Sequence, residues 1–460
     1  MKHLDLLVVV IYLGGILAVG FWARRRANSQ EQFLVAGRSV GPWLYAGTLA
    51  AVVLGGASTV GGVKLGYQYG ISGMWLVWML GLGILVLSAT LVQRVLGLRL
   101  YTIPELLERR HSAAARIAGG VVMVAYDLMV AVTATIAVGS VMQVIVGIPR
   151  VPAILISSLV MVAYSVLGGM WSLTLTDIVQ FVIKTIGILF ILLPGAILRA
   201  GGLASMHARL PRELFSLTHI GTGTIVSYFV LYVFGILIGQ DIWQRVFTAR
   251  SVRVARYAGL AVGVYCLCYG LAGAIIGTAG RLFLPHLGDA DTAFAQIVEA
   301  VLPVGLRGVV LAAALAAIMS TASACLLAAS TVLLEDVYLR VRGAGNSGSV
   351  AQSRAVTLVL GALMTLAACA VRDVIAALTV AYDLLVGGLL VPVLAAMFWK
   401  GASAAGALAS IACGSILVIA MLGVAGLDSN LPIYIGLGGS LLSYALAGAG
   451  RRLIVERSRA

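Results

Sequence analysis

Residues 318–338 read IMSTASACLLAASTVLLEDVY. The run is apolar enough to be a helix inside a hydrophobic protein. Yet it carries Ser320, Thr321, Ser323, Ser330 and Thr331 and ends on Glu335 and Asp336. Ala317, Ser320 and Thr321 stand at i, i+3 and i+4, so a helix puts them on one face. Two readings are open at this point. Hydroxyl and carbonyl oxygens are the ligands of hard cations, and neutral ones suit a monovalent ion that must leave again. Ser and Thr in membrane helices also bond back to their own helix or to a neighbour.

The surrounding chain supplies the solvent. Of 460 residues, 61% are hydrophobic and 10% charged, against roughly 25% charged in soluble domains. Mean hydropathy is +1.07. This is the composition of an all-α polytopic membrane protein. The net charge of +14 does not indicate nucleic-acid binding, because Lys and Arg are spread over short loops between apolar runs. Thirteen apolar runs of spanning length are expected, centred near residues 14, 56, 85, 132, 160, 187, 234, 268, 322, 363, 386, 413 and 441. Alternate loops hold 21 and 8 positive residues, which places the N-terminus and the 200–222 loop outside and the 340–354 loop and C-terminus in the cytoplasm. The stretch DLLVVVIYLGGILAVGFWA (5–23), followed by Arg24–Arg26, reads as a retained first helix and not a cleaved signal. The expected location is a bacterial-type inner membrane.

Several function classes fall away. The five cysteines lie in apolar runs without CxxC or Cys/His spacing, so neither zinc nor a disulfide framework is expected. The five His are scattered, which disfavours a membrane enzyme. No Walker-type loop is present and the longest polar pieces, 198–221 and 341–354, leave no room for a nucleotide domain. No repeated pore-filter sequence suggests a channel. What remains is a carrier driven by an ion gradient.

Four further stretches decide between the readings of the hydroxyl helix. EQFLVAGRSVGPW (31–43), TIPELLERR (102–110), SVLGGMWSLTLTDIVQF (165–181) and GQDIWQRVFTARS (239–251) occur in an order that, with the 318–338 segment, resembles the sodium:solute symporter family from about residue 30 to 400. The resemblance implies a leucine-transporter-like fold. It has two inverted five-helix repeats, 44–198 and 222–399, whose first helices (the first and sixth of the core) are broken at the midplane. Residues 1–43 would be an extra helix and loop, 199–221 an external loop, and 400–460 two appended helices with a tail. Gly-rich interruptions at 54–62 (LGGASTVGG) and 235–239 (GILIG) stand where such breaks belong.

By the same resemblance, a sodium ion would take the carbonyls of Ala51, Leu54 and Ala317 and the hydroxyls of Ser320 and Thr321. Asp177 and Ser323 correspond to a second cation site in some relatives. Ala324 lacks the second hydroxyl of that site, so one sodium per cycle is expected. Ser58 and Gln240 are expected substrate contacts. Gly239 stands where sugar carriers have Asn, which argues against a sugar.

Lys64 and Lys184 lie inside apolar runs, as do Asp127 and Asp383. Such charges are costly and usually have a partner or a function. Lys64, placed just beyond Gly61–Gly62, is either the counter-charge of a substrate carboxylate or a snorkelling side chain. Lys184 shares a helix face with Asp177 and either pairs with an acid or stands in for a cation. Three acids and two lysines suggest pairing among themselves. The expected function is therefore sodium-coupled uptake of a small carboxylate or amino acid. The alternative is a proton-coupled or sodium-independent carrier on the same fold. The bilayer, the solute and sodium are the expected partners, with no nucleic acid and no obligate protein partner.

Overall fold

The computed structural model describes residues 2–343, 348–371, 373–427 and 429–457. Arg372 and the middle of the 340–354 loop, used above for orientation, lie outside them. The described chain is helical throughout, apart from one isolated bridge between Val40 and Ala249. Its principal helices are α1 (Lys2–Ala23), α2 (Pro42–Val53), α3 (Ala57–Gly97), α4 (Ala113–Val146), α5 (Arg150–Arg199), α6 (Thr222–Ile238) and α7 (Gln240–Thr248). There follow α8 (Val252–Phe283), α9 (Leu306–Val341), α10 (Val350–Ala370), α11 (Val374–Phe398), α12 (Ala404–Ala425) and α13 (Leu431–Arg457).

Ten described helices are long and apolar enough to cross a membrane, or eleven if α6 and α7 count as one bent span. The thirteen expected runs all fall in helices, but not one to a helix. The 50-residue α5 is about 75 Å long at 1.5 Å per residue, more than twice a ~30 Å hydrocarbon core. It absorbs two runs and turns at Gly169 (φ 52, ψ −139), a conformation only glycine adopts readily.

Helix α9 is the axis of the molecule. Its most apolar window is 94% buried, against 28% for α1, α12 and α13, which turn most of their surface to lipid. A helix apolar all round belongs in the interior. It packs on α1, α2, α4, α5 and α10. Polar residues mark where helices end. Ser112, Ser251 and Ser349 each cap a following helix by accepting a backbone N–H.

Both expected breaks are present, each at one end of its glycine-rich stretch. The first lies at Leu54–Gly56, where Leu54 leaves the helix (φ −94, ψ 68). Gly61 and Gly62 are helical. Lys64 therefore sits about two turns into the outer half-helix, not at its N-terminus. The second break is Gly239 (φ −71, ψ 130), where α6 and α7 bend by 43°.

Candidate ion and substrate site

The break in α2 frees carbonyl oxygens, and α9 meets them with hydroxyls. Ser320 Oγ lies 2.9 Å from both Ala51 O and Ala317 O, its one O–H shared between the two carbonyls. Thr321 Oγ1 lies 2.7 Å from Val52 O and 3.3 Å from Ala51 O. A Cβ on Gly55 would collide with Thr321, so the two helices approach this closely only with glycine there. Ala51, Ala317, Ser320 and Thr321 are thus joined directly. Leu54 joins them through Lys184, whose Nζ donates to Ala50 O at 3.0 Å, Leu54 O at 3.2 Å and Ala51 O at 3.5 Å.

The acids expected around this cage are arranged differently. Asp177 accepts a bond from the Thr48 hydroxyl and pairs with Arg245 at 3.3 Å, all three side chains being buried. Ser323 Oγ donates to Ser320 O at 3.2 Å and not to Asp177. Lys184 forms no ion pair among the described residues. Asp127 and Asp383 are buried and likewise make none there. The expected pairing among three acids and two lysines does not occur. Arg245, read as a loop charge, supplies the partner of Asp177 instead.

Lys64 lies elsewhere again. It faces a cavity of about 400 Å³, with Nζ 2.8 Å from Asp291 and 3.4 Å from Asp373. Both acids went unremarked in the sequence because they come from connecting segments. Gln240 is also committed: Oε1 accepts Ile103 N–H at 2.8 Å and Nε2 donates to Tyr101 O at 2.9 Å. It holds the 101–103 segment and does not line the central space.

That central space, a tight one of about 30 Å³, lies between the two breaks. Gly55, Gly56, Ala57 and Ser58 form one wall, and Thr133, Ile236, Thr321 and Tyr382 stand on others. Ser58 is on the wall as expected, with Oγ bonded to Val53 O at 3.0 Å. Asp241 is the one charged residue on that lining. It accepts from Tyr126 OH at 3.3 Å and faces Cys325 Sγ at 3.7 Å. Asp127 lies beside it, buried and without a side-chain hydrogen-bond partner among the described residues. Sequence reading passed over Asp241 because its neighbours Gln240 and Arg245 carried the motif. Its position immediately after the break at Gly239 was the available signal.

The rest of the opening segment is structural. Thr331 accepts from Gln244 at 3.2 Å and Ser330 from Thr357 at 2.9 Å, joining α9 to α7 and α10. Asp336 takes Arg116 at 2.6 Å and Thr102 at 2.9 Å, while Glu335 takes Gln30 and the Gly348 N–H, each at 3.0 Å.

Residues 33–414 match the Sodium:solute symporter family. The sodium/pantothenate symporter of Escherichia coli (strain K12) is 28% identical over 444 residues, covering 90% of this chain and 89% of that protein. The sodium/glucose cotransporter of Vibrio parahaemolyticus is 24% identical, covering 89% and 83%. Sodium/proline symporter 2 of Staphylococcus saprophyticus is 25% identical, covering 90% and 85%. Among solved structures, a Na+-coupled sialic acid symporter in a substrate-bound outward-open state superposes with a TM-score of 0.85 over 97% of both chains, at 18% identity. The fold is thus shared with a leucine-transporter-like carrier, while the solutes named for these relatives differ from one to the next. The chain belongs to the sodium:solute symporter family: it is a membrane-embedded, sodium-coupled secondary transporter of a small organic solute, not an enzyme.

Proposed function

We propose that this carrier moves a zwitterionic, amino-acid-like solute, held in the central space with its ammonium at Asp241. The observation that carries this is the buried acid Asp241, the one charged residue on that lining, with a second buried acid, Asp127, beside it. A buried carboxylate needs a cationic or hydrogen-bonding partner; beyond the Ile242 main-chain N–H and Tyr126 at 3.3 Å, Asp241 has no cation within ion-pair distance among the described residues. Across the space, the outer half-helix begins at Ala57. Its positive end suits a carboxylate, as broken helices in carriers commonly do. Ser58 adds a hydroxyl to the same wall. Lys64 is not needed for the solute carboxylate, since two carboxylates of the protein already hold it.

Sodium in this reading binds at Ala51, Leu54, Ala317, Ser320 and Thr321, whose oxygens already converge. Transport is alternating access of the repeats 44–198 and 222–399 in an inner membrane, with the N-terminus outside. Asp241→Asn should raise the solute half-saturation at least about tenfold, as loss of one charge-assisted contact of ~1.5–3 kcal/mol does, and leave that for sodium nearly unchanged. Uptake into proteoliposomes with each ligand varied in turn reads both constants. Loss of sodium affinity with solute affinity intact would assign the acid to a cation and sink the proposal.

A further inference from the structure

Lys184 is fully buried in α5. An ammonium is a compact charge with three donors, and in a protein interior it ordinarily finds a carboxylate. The acid on its own helix face, Asp177, is taken by Thr48 and Arg245. The Lys184 donors go instead to main-chain oxygens: Ala50 at 3.0 Å, Leu54 at 3.2 Å and, more distantly, Ala51 at 3.5 Å. Leu54 O is available because the helix breaks at that residue. Ser320 meets Ala51 O from the other side at 2.9 Å.

Two of these oxygens, on Ala51 and Leu54, are the ones to which sodium is assigned above. Sodium and an ammonium carry the same charge and want the same lone pairs. They cannot share them, because each would place a like charge within a few ångströms of the other in a site that water does not screen. The lysine is tethered to α5, so its local concentration at the cage is permanent.

We propose that Lys184 is a tethered occupant of the sodium cage, so that sodium binds only by displacing the lysine ammonium from the carbonyls of Ala51 and Leu54. In the sodium-free carrier the lysine then braces the break in α2 against α5, a task the ion takes over when it binds. The competition lowers the fraction of carrier ready for sodium, and the apparent sodium affinity falls by that fraction.

The test uses the full chain, purified in detergent, and follows its thermal stabilisation by sodium chloride against choline chloride at constant ionic strength and one pH. Lys184→Met should lower the half-saturating sodium concentration at least about tenfold, the effect of raising the competent fraction from a tenth to near one. Lys184→Gln, which removes the charge but keeps one donor for the cage, should do the same to a smaller degree. Adding Ser320→Ala to Lys184→Met should raise the value again, because the gained sodium sits on that hydroxyl. If the variants are recovered only in sodium and not in choline, the ion is replacing the lysine and the proposal stands. Half-saturation unchanged or raised in both variants overturns it, and so does failure of both to fold in either salt. The proposal rests on the sodium assignment above, and Ser320→Ala alone separates the two failures. If that variant leaves sodium half-saturation unchanged, the cage is not a sodium site. If it raises the value while Lys184→Met does not lower it, only the competition is wrong.

Discussion

Lys64 and Lys184 are the two lysines inside apolar runs, and the fold treats them in opposite ways. Lys64 stands at a cavity on the outer side of the break, with its side chain 12% exposed and two carboxylates around it. Asp291 comes from a short turn before α9 and Asp373 caps α11, so the lysine ties three segments together. Lys184 has no exposure and, among the described residues, no carboxylate partner, only main-chain oxygens. An ion pair at a wet cavity is exchangeable and screened by salt. An ammonium on carbonyls in the interior is neither. The difference shows that a buried charge is read by its partners' chemistry: carboxylates hold Lys64 as a removable tie, whereas carbonyls give Lys184 the surroundings of a bound ion.

Three substitutions would break or sharpen this contrast. The largest effect is expected from Arg245→Met. It strips Asp177 of its buried partner, and uncompensated buried charges cost about 3–5 kcal/mol. Unfolding in mixed micelles should show that loss. A much smaller cost would mean that Lys184, two turns along the same helix, had left the carbonyls to pair with Asp177, and the contrast between the lysines would collapse. An intermediate effect is expected from Gln240→Leu, which leaves Ile103 N–H and Tyr101 O without their partner at about 1–3 kcal/mol. Stability should fall while solute half-saturation stays put. A changed half-saturation would return Gln240 to the substrate. The smallest effect is expected from Lys64→Gln. Lys64 is held by two carboxylates of the protein and not by the solute, so solute half-saturation should shift by less than about fivefold, or ~1 kcal/mol. A shift of tenfold or more would make Lys64 the solute's counter-charge after all, as its place beyond the break first suggested.

What could be read in advance follows a physical line. Apolar runs, the hydroxyl face of α9 and the carbonyl partners in α2 are local patterns tied to an ordered set of motifs, and the structure brings them together. The break falls within the expected stretch 54–62, but at its start and not at Gly61–Gly62, beside which Lys64 was placed. A glycine costs a helix only about 1 kcal/mol, which packing readily overrides. The chain opens at Leu54–Gly56 instead, where freed carbonyls meet Ser320, Thr321 and Lys184. Distant partners that no motif pairs were not legible. Spacing put Lys184 and Asp177 on one face of α5 but said nothing about Arg245 arriving from α7. Nor did it show that Asp241 would turn into the central space while Gln240, one residue earlier, turned away.

The two ends of the central passage are fastened unequally. At the end of α9 that carries Asp336, the tie to Arg116 is 2.6 Å long and almost wholly buried, with Thr102 on the same carboxylate. At the other end the Lys64 ties are partly wetted, and Asp373 is 49% exposed. Separating a dry ion pair exposes charges that must be resolvated in the act, whereas a wet pair is already half resolvated. The Lys64 side is therefore expected to part at the lower cost, and added salt should loosen its ties before it reaches the dry Arg116–Asp336 tie.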